Sequence, residues 1–215
     1  MKKKSIAKIW LIGGILILAA GLINYLVNQS RNPEGFVGKA MTKIWSSYFT
    51  DQNQWGYSLI NIDEVETSLD VGFGGGSGIK YLMKQNPDRT VYGIDISDEA
   101  VETAAEINKE YVDSGNVILK VGDVAALPFD NNIFDLVAAG QTQIYWDELE
   151  KGLSECRRVL KENGTLLITC EIDKIEYHLP EYKNSDDFVS LLYTIGYSEV
   201  SVTISNNYIA FICMK

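Results

Sequence analysis

The sequence predicts an α/β fold in which a doubly wound, mostly parallel sheet is covered by helices on both faces. Three observations predict it. β-prone segments alternate with segments of helical periodicity, a glycine cluster separates the first strand from the helix after it, and two β-prone runs with a turn between them end the sequence. Alternating strands and helices typically form a parallel sheet, and two strands joined by a short turn pair as an antiparallel hairpin. An apolar stretch near the N-terminus adds one predicted transmembrane helix.

This apolar stretch is the first predicted element. No residue from 9 to 30 is charged, residues 10–27 are almost wholly apolar, and four lysines precede them. At about 1.5 Å of rise per residue, a helix of this length just crosses the hydrocarbon core of a membrane. We therefore expect residues 1–31 to form a single-pass membrane anchor. A cleaved signal peptide is the alternative, although its apolar region is usually shorter.

The remaining residues divide into a helical linker and an α/β domain. Residues 32–66 begin with a turn-rich joint and continue with apolar residues at helical spacing over 36–48, which predicts a helical linker. Residues 67–215 carry the alternating pattern of the domain. Its predicted strands are 67–71, 90–95, 117–122, 134–139, 165–171, 198–205 and 208–214, and its predicted helices are 79–85, 98–111, 147–160 and 186–195.

Charge and rare residues exclude several functions. The net charge is −10, and the first 31 residues hold five of the 19 basic residues and none of the 29 acidic ones, so the body is more acidic than the whole. An acidic body repels phosphate backbones, so we expect no nucleic-acid partner.

Cys156, Cys170 and Cys213 lack a CxxC spacing and are interpreted as buried apolar residues. With one histidine, His178, we expect no metal site and no Ser-His-Asp triad. We predict a loop around His178, with a substrate-side role as the alternative.

The glycine cluster is the strongest indication of a ligand site. Residues 69–78 read LDVGFGGGSG. Gly72 and Gly74 allow a sharp turn and a close approach of the backbone to a ligand, which a β-carbon would block. The helix that follows points its free N–H groups at whatever polar group lies over the turn. Asp95 ends the next predicted strand, where a nucleotide-binding unit needs a carboxylate for ribose hydroxyls; a solvated turn residue is the alternative.

Three motifs follow one another along the chain. Residues 69–76 place an acid two positions before the first glycine, residues 122–137 read GDVAALPFDNNIFDLV, and residues 155–166 read ECRRVLKENGTL. In this order they resemble the first motif, the adenine-side loop with the fourth strand, and the fifth helix with its turn and strand of class I S-adenosylmethionine (SAM)-dependent methyltransferases. Phe73 departs from that pattern, because the family usually has a small residue or Cys there. The resemblance implies a Rossmann-like fold with a C-terminal hairpin. It also implies that residues 32–66 cover the SAM pocket or touch the acceptor, unless they form an ordinary core helix.

The resemblance also implies which residues bind the cofactor SAM. They are Asp70, Gly72, Phe73, Gly74, Gly76, Asp95, Ile96, Asp123, Val124 and Gly140. The glycine turn would hold the methionine end, Asp95 would accept from the ribose hydroxyls, Ile96 would press on the adenine, and Asp123 would accept from the adenine amino group unless it is a simple turn residue. Gln141 and Tyr145 follow the fourth strand, where the family faces its acceptor, and are the predicted catalytic residues; packing at the sheet edge is the alternative for Tyr145.

The resemblance and the apolar stretch together predict a membrane-tethered enzyme that methylates a small-molecule or lipid-like acceptor. The lysines before the anchor favour a body outside the cytoplasm. Arg31, Lys39 and Lys43 and the cytosolic supply of SAM favour a cytoplasmic body, which we expect. Two other functions stay open. One is an NAD(P)-dependent oxidoreductase, because Gly72, Gly74 and Asp95 also satisfy a dinucleotide fingerprint. The other is a SAM-binding protein without turnover.

Overall fold

The computed structural model describes residues 18–22, 24–26, 28, 29 and 32–215. Most of the predicted membrane anchor, including residues 1–17, lies outside these residues. Within the described ranges, no helix combines the length and the apolar character that crossing a membrane requires. The transmembrane part of the predicted fold therefore has no support in the described part of the chain.

A seven-stranded sheet forms the centre of the fold, in the order β3-β2-β1-β4-β5-β7-β6. Its strands are β1 Thr67–Val71, β2 Thr90–Asp95, β3 Val117–Val121, β4 Phe134–Gly140, β5 Leu160–Glu171, β6 Glu199–Ser205 and β7 Tyr208–Met214. Strands β1 to β5 are parallel, whereas β7 is antiparallel to both β5 and β6. Asn206, at a φ of 54°, lies in the turn of the hairpin. The predicted parallel sheet with a terminal antiparallel hairpin is therefore confirmed.

Helices cover both faces of this sheet. In residues 32–215 they are α1 Gly35–Tyr48, α2 Thr50–Tyr57, α3 Ser77–Gln85, α4 Asp98–Ile107, α5 Lys109–Asp113, α6 Leu149–Val159, α7 Ile172–His178 and α8 Ser185–Ile195. Successive residues of a strand point to opposite faces. Leu69 and Val137 accordingly pack in one core cluster with residues of α6 and α8, and Leu136 packs in the other with residues of α3 and α4. The three cysteines are free and buried, as predicted.

Besides shifts of one or two residues at the ends of elements, three predictions differ from the structure. The predicted helix 98–111 is interrupted at Asn108, whose buried side chain donates from Nδ2 to the carbonyl of Gly76 at 3.0 Å. Strand β5 begins before residue 165, because Leu160 already pairs with Phe134 ahead of a register shift. The predicted loop around His178 is wrong, since His178 is the last residue of α7.

Helix α1 is held beside the ends of the first strands by contacts with α4. Lys39 Nζ lies 3.3 Å from Glu102 and 3.0 Å from Glu106, and Lys43 Nζ lies 3.2 Å from Glu106. Exposed ion pairs of this kind contribute little stability each, so we interpret them as fixing the position of the helix. α1 thereby stays close to the edge of the sheet where the predicted site residues converge.

Candidate active site

A cavity of about 610 Å³ opens at the carboxyl ends of β1, β2 and β4. In open α/β sheets, ligands bind at this edge and at the point where the strand order reverses. The order reverses here between β1 and β4, because the chain moves outward from β1 to β3 and then crosses back to β4. Thr42 and Trp45 of α1 form part of the wall. The cavity therefore lies between the edge of the sheet and the N-terminal helices.

The glycine turn after β1 forms one side of the cavity. Gly72, Gly74 and Gly76 have φ values of 70°, 51° and 77°, a region that favours glycine. A β-carbon at Gly74 would meet no other atom within 4 Å. The backbone at this position lines the cavity and leaves space for a ligand to approach it. A β-carbon at Gly72 would collide with the Thr142 side chain, 2.7 Å from its Cβ and closer still to its hydroxyl oxygen, and one at Gly76 would lie 2.7 Å from Asn108 Nδ2. Gly76 thus faces α4 and does not line the cavity.

Asp95 ends β2 beside this turn. Its Oδ2 accepts a hydrogen bond from the Gly74 N–H at 2.9 Å, and its Oδ1 accepts one from the Ser97 N–H at 3.0 Å. The residue lines the cavity although it is only 8% exposed, and burial raises the pKa of its carboxyl group. Each carboxylate oxygen offers about two acceptor sites. With the backbone of Ile96 acting on it as well, the carboxyl group keeps room for a further donor such as a ligand hydroxyl.

Asp70 lies beneath the glycine turn, outside the main cavity. It lines a separate cavity of about 30 Å³ together with Asn53 and Tyr57, which is room for about one water molecule. Burial, with a smaller effect of the nearby Asp95, raises the pKa of Asp70 to about 7. A cation bound nearby would favour the ionised carboxylate. A cationic ligand bound above the glycine turn would therefore favour the ionised form of Asp70.

The opposite end of the cavity is lined by residues that follow β2 and β3. Ile96 is 48% exposed and lines the cavity, as does the buried Val124. Asp123 also lines it, and its Oδ1 accepts from the Ala125 N–H at 2.9 Å, which caps a short 3-10 turn. The two interpretations of Asp123 are therefore compatible, because the residue caps a turn and faces the cavity.

The second and third sequence motifs are joined through Arg158 on α6. Its Nη2 donates to the Leu127 carbonyl at 3.0 Å, and its Nη1 donates to the Phe129 carbonyl at 2.8 Å. Glu155 accepts from the Leu127 N–H at 3.0 Å and from Arg158 Nη2 at 2.7 Å. These side chains fix the loop after Asp123, so the third motif stabilises one wall of the cavity.

Gln141 lies after β4 and contacts its neighbour β5. It is buried, and its φ of 59° is uncommon for a residue with a side chain and typical of functional sites. Its Nε2 donates to Glu171 Oε2 at 3.2 Å, and its Oε1 accepts from the Glu171 N–H at 2.8 Å. Tyr48 of α1 donates to Glu171 Oε1 at 3.0 Å. Gln141 lines the cavity, but both ends of its amide are engaged in a chain that links α1 to β4 and β5.

Aromatic side chains form the wall on the side of β4 and β5. Tyr145 lies edge-on to His178 with a centroid distance of 5.0 Å, and Trp45 stacks on Phe49 at 5.8 Å. Trp146 lines the same cavity. Burial raises the pKa of the Tyr145 phenol and lowers the pKa of the His178 imidazole. Near neutral pH, this wall therefore presents neutral rings to a ligand.

Ten of the twelve sequence-predicted site residues line the cavity, and Asp70 and Gly76 do not. Asp70 lies beneath the glycine turn, and Gly76, within the turn, faces α4. The sequence did not predict two residues that line the cavity, Trp45 and Asn53, of which Asn53 lies over Gly140. A substrate-side role of His178 was predicted only as an alternative. No local pattern distinguishes these residues. Only the packing of α1, α2 and α7 over the sheet edge brings them to the site.

Comparison with known proteins gives the same family. Residues 69–168 match the family described as the methyltransferase domain. The chain is 29% identical over 119 residues to the uncharacterized methyltransferase YdaC of Bacillus subtilis, covering 55% of this chain and 64% of that protein. It is 33% identical over 103 residues to the demethylmenaquinone methyltransferase of Thermotoga maritima, covering 48% and 42%. The chain thus spans less than two thirds of these relatives.

Solved structures share the fold. A SAM-dependent methyltransferase from Aquifex aeolicus superposes with a TM-score of 0.66, covering 82% of this chain and 97% of that one, at 21% sequence identity. At this identity the likeness concerns the fold alone. The family assignment comes from the sequence matches, which agree with the three motifs. The chain therefore contains a domain of the methyltransferase family, in residues 69–168.

Proposed function

We propose that this protein transfers a methyl group from SAM to a small-molecule or lipid-like acceptor. One observation carries the proposal: the glycine turn after β1 and the buried carboxyl group of Asp95 face the same cavity. A turn that admits a close ligand, beside a carboxylate with free acceptor sites, suits an adenosyl group joined to an amino acid. The family assignment of residues 69–168 supports the same reading.

The residues present fit SAM along the length of the cavity. Asp95 would accept from the ribose hydroxyls, and the backbone at Gly72 and Gly74 would face the methionine end. Ile96 and Val124 would pack on the adenine, with Asp123 as the acceptor for its amino group. The cationic amino group of SAM would lie nearest to Asp70 and favour its ionised form.

Few catalytic groups are required of the protein. When bound, SAM supplies a methyl group that is already activated by the positive sulfur. The chain's own residues would orient the acceptor, which can contribute on the order of 7–11 kcal/mol to lowering a barrier. Tyr145 is a neutral donor at the acceptor side. Gln141, held by Glu171, would act through its position in the wall.

The nature of the acceptor is supported by the wall and by one relative. Trp45, Tyr145 and Trp146 make the β4–β5 side of the cavity apolar and aromatic. The relative from Thermotoga maritima is named for methylation of a demethylmenaquinone. Both favour a small acceptor with a flat apolar part over a polymer such as nucleic acid.

Attachment to a membrane is part of the proposal and rests on the sequence. Residues 10–27 are almost wholly apolar, and lysines precede them. Such a segment would keep the protein close to lipid-like acceptors. The supply of SAM favours a cytoplasmic position of the methyltransferase domain.

Calorimetry with the full chain tests the cofactor assignment. We expect SAM and S-adenosylhomocysteine to bind with micromolar affinity, and NADH to give no heat of binding. Binding of NADH without SAM would favour the oxidoreductase. SAM binding without transfer of a labelled methyl group to any component of a membrane or cell extract would favour a binding protein without turnover.

A further inference from the structure

His178 occupies the acceptor side of the cavity. It is the last residue of α7, is half-buried and lines the cavity, and it is the only histidine in the sequence. The ring of Tyr145 meets it edge-on at 5.0 Å and that of Tyr177 at 4.8 Å. Among the described residues, no hydrogen bond is made to either ring nitrogen of His178.

The order of the strands separates this histidine from Asp95, the residue proposed to bind the ribose. Asp95 ends β2, whereas α7 follows β5, and the order β2-β1-β4-β5 places three strand spacings between them. At about 4.8 Å per spacing, the two strand ends are roughly 14 Å apart. His178 therefore lies where an acceptor would approach, away from the residues proposed to bind the nucleoside.

The surroundings of His178 favour a neutral ring. Burial, and then the nearby cation of Lys174, lower the pKa of the imidazole. The titratable groups that contact or act on it are Lys174 and Tyr177 of α7 and Tyr145 after β4, and the pKa of Tyr145 is raised by burial. A neutral imidazole at pH 7 can accept a proton. The Tyr145 phenol, whose pKa burial raises, stays protonated and does not compete for that role.

We propose that His178 is the general base that removes the proton from an aromatic hydroxyl group of the methyl acceptor. The proposal rests on the proposed function and adds a catalytic residue and an acceptor class to it. The aromatic wall of Trp45, Phe49 and Trp146 suits a flat ring. Lys174, one helical turn before His178, lines the same cavity, and its ammonium group lies 3.3 Å from Asp173 Oδ2.

His178, the acceptor and SAM together account for the proton and the electron pair of this step. The hydroxyl proton moves to an unprotonated ring nitrogen of His178 while the oxygen bonds to the methyl carbon. The carbon–sulfur bond breaks, its electron pair stays on the sulfur, and the neutral thioether S-adenosylhomocysteine leaves. A phenol has an ordinary pKa of about 10, only about 3.5 above that of histidine. Water, at about 15.7, lies roughly 9 above it, so an aliphatic hydroxyl would be a far poorer partner for this base.

Rates with simple probes test the proposal on the full chain. We expect labelled methyl transfer to 1-naphthol, and much less to cyclohexanol or benzylamine. His178→Gln should lower kcat with 1-naphthol by about 10²–10⁴-fold and remove the acid limb of the pH–rate profile, while the SAM Kd changes less than about twofold. Glu176→Gln, an exposed change on the same helix, is the matched control and should keep both.

Because the chain has one histidine, proton NMR gives a second readout that does not depend on turnover. On protein without a histidine tag, the imidazole resonance should titrate below pH 6.5, and 1-naphthol added with S-adenosylhomocysteine should shift it. Failure of the wild type to bind SAM would refute the proposed function itself. SAM binding with an unperturbed resonance, an unchanged kcat in His178→Gln, or transfer only to benzylamine or to none of the probes would overturn the base assignment.

Discussion

The ring of Phe73 lies directly against the α-carbon of Gly93. A β-carbon at Gly93 would stand 2.6 Å from Phe73 Cδ1, closer than real contacts allow. Phe73 belongs to the glycine turn and Gly93 to the neighbouring strand β2, so the missing side chain on β2 makes room for the ring. Phe73 is 7% exposed and is part of the hydrophobic core. The bulky residue in the turn is thus accommodated by a glycine on the next strand.

Replacement of Gly93 by alanine should displace the ring and the turn with it. We expect Gly93→Ala to lower the free energy of unfolding by about 1–3 kcal/mol, the usual cost of overpacking a core. SAM affinity should fall as well, because Phe73 lies between Gly72 and Gly74. Urea denaturation and calorimetry measure the two effects.

A double-mutant cycle separates this contact from a general effect of the new methyl group. Phe73→Leu replaces the ring with a smaller aliphatic side chain, so Gly93→Ala should cost less in that background, with a coupling of at least about 0.5 kcal/mol. If the loss of stability in the double variant equals the sum of the losses in the two single variants, the two residues are not coupled. The explanation for Phe73 would then fail.

Asp70 should make stability depend on pH. Its pKa rises from 3.8 to about 7 in the folded protein, so between these values the folded state holds a proton that the unfolded state releases. The free energy of unfolding should therefore decrease as pH rises from about 4 to about 7. Asp70→Asn removes this contribution. We expect the variant to be more stable than the wild type at pH 8, by on the order of 1–4 kcal/mol.

Asp70→Asn should weaken the binding of SAM at pH 8, although it stabilises the fold at that pH. Without an ionisable group beneath the turn, Asp70→Asn should bind SAM more weakly at pH 8, because the cationic amino group loses its counter-charge. Denaturation at several pH values and calorimetry on the same samples test both effects. Identical slopes of stability against pH in the two proteins would contradict the burial of an ionisable Asp70.

The fold could be predicted largely because its information is local. Alternating apolar runs mark the strands, and the glycine turn marks the first β–α connection. The short helix α7 was missed because its seven residues mix charged and apolar side chains and lie just before Pro180. The engagement of Gln141 by Glu171 could not be predicted, since it depends on the ends of β4 and β5 being neighbours. Trp45 and Asn53 reach the site only through helices that fold back over the sheet.

Tyr48 should control how firmly α1 covers the site. Its hydroxyl donates to the buried carboxylate of Glu171, and a hydrogen bond to a charged group contributes about 1.5–3 kcal/mol. Tyr48→Phe should therefore increase amide hydrogen exchange in α1, by up to about 10²-fold, while exchange in the central strands stays unchanged. Tyr193→Phe alters a similarly exposed tyrosine on α8 and serves as the control. Equal exchange of α1 in wild type and Tyr48→Phe would show that the helix is held by other contacts.

Asp95 should affect both the turn and the ligand. The carboxylate accepts from the N–H groups of Gly74 and Ser97, so Asp95→Ala leaves two backbone donors without a partner and should cost about 1–3 kcal/mol of stability. Asp95→Asn keeps one acceptor oxygen and should cost less. Both should weaken SAM binding by roughly 10–100-fold, because hydrogen bonds between a carboxylate and ribose hydroxyls contribute about 1.5–3 kcal/mol. Asp98→Asn, an exposed change three residues later, should leave affinity unchanged.

An analogue of S-adenosylhomocysteine without the two ribose hydroxyls distinguishes the role in the turn from the role in binding. The wild type should bind this analogue more weakly than S-adenosylhomocysteine, whereas Asp95→Asn should discriminate between the two less strongly, because it keeps only one of the two oxygens that accept from the hydroxyls. If Asp95→Asn still discriminates between them as strongly as the wild type does, Asp95 serves only to hold the glycine turn, and another group must bind the ribose.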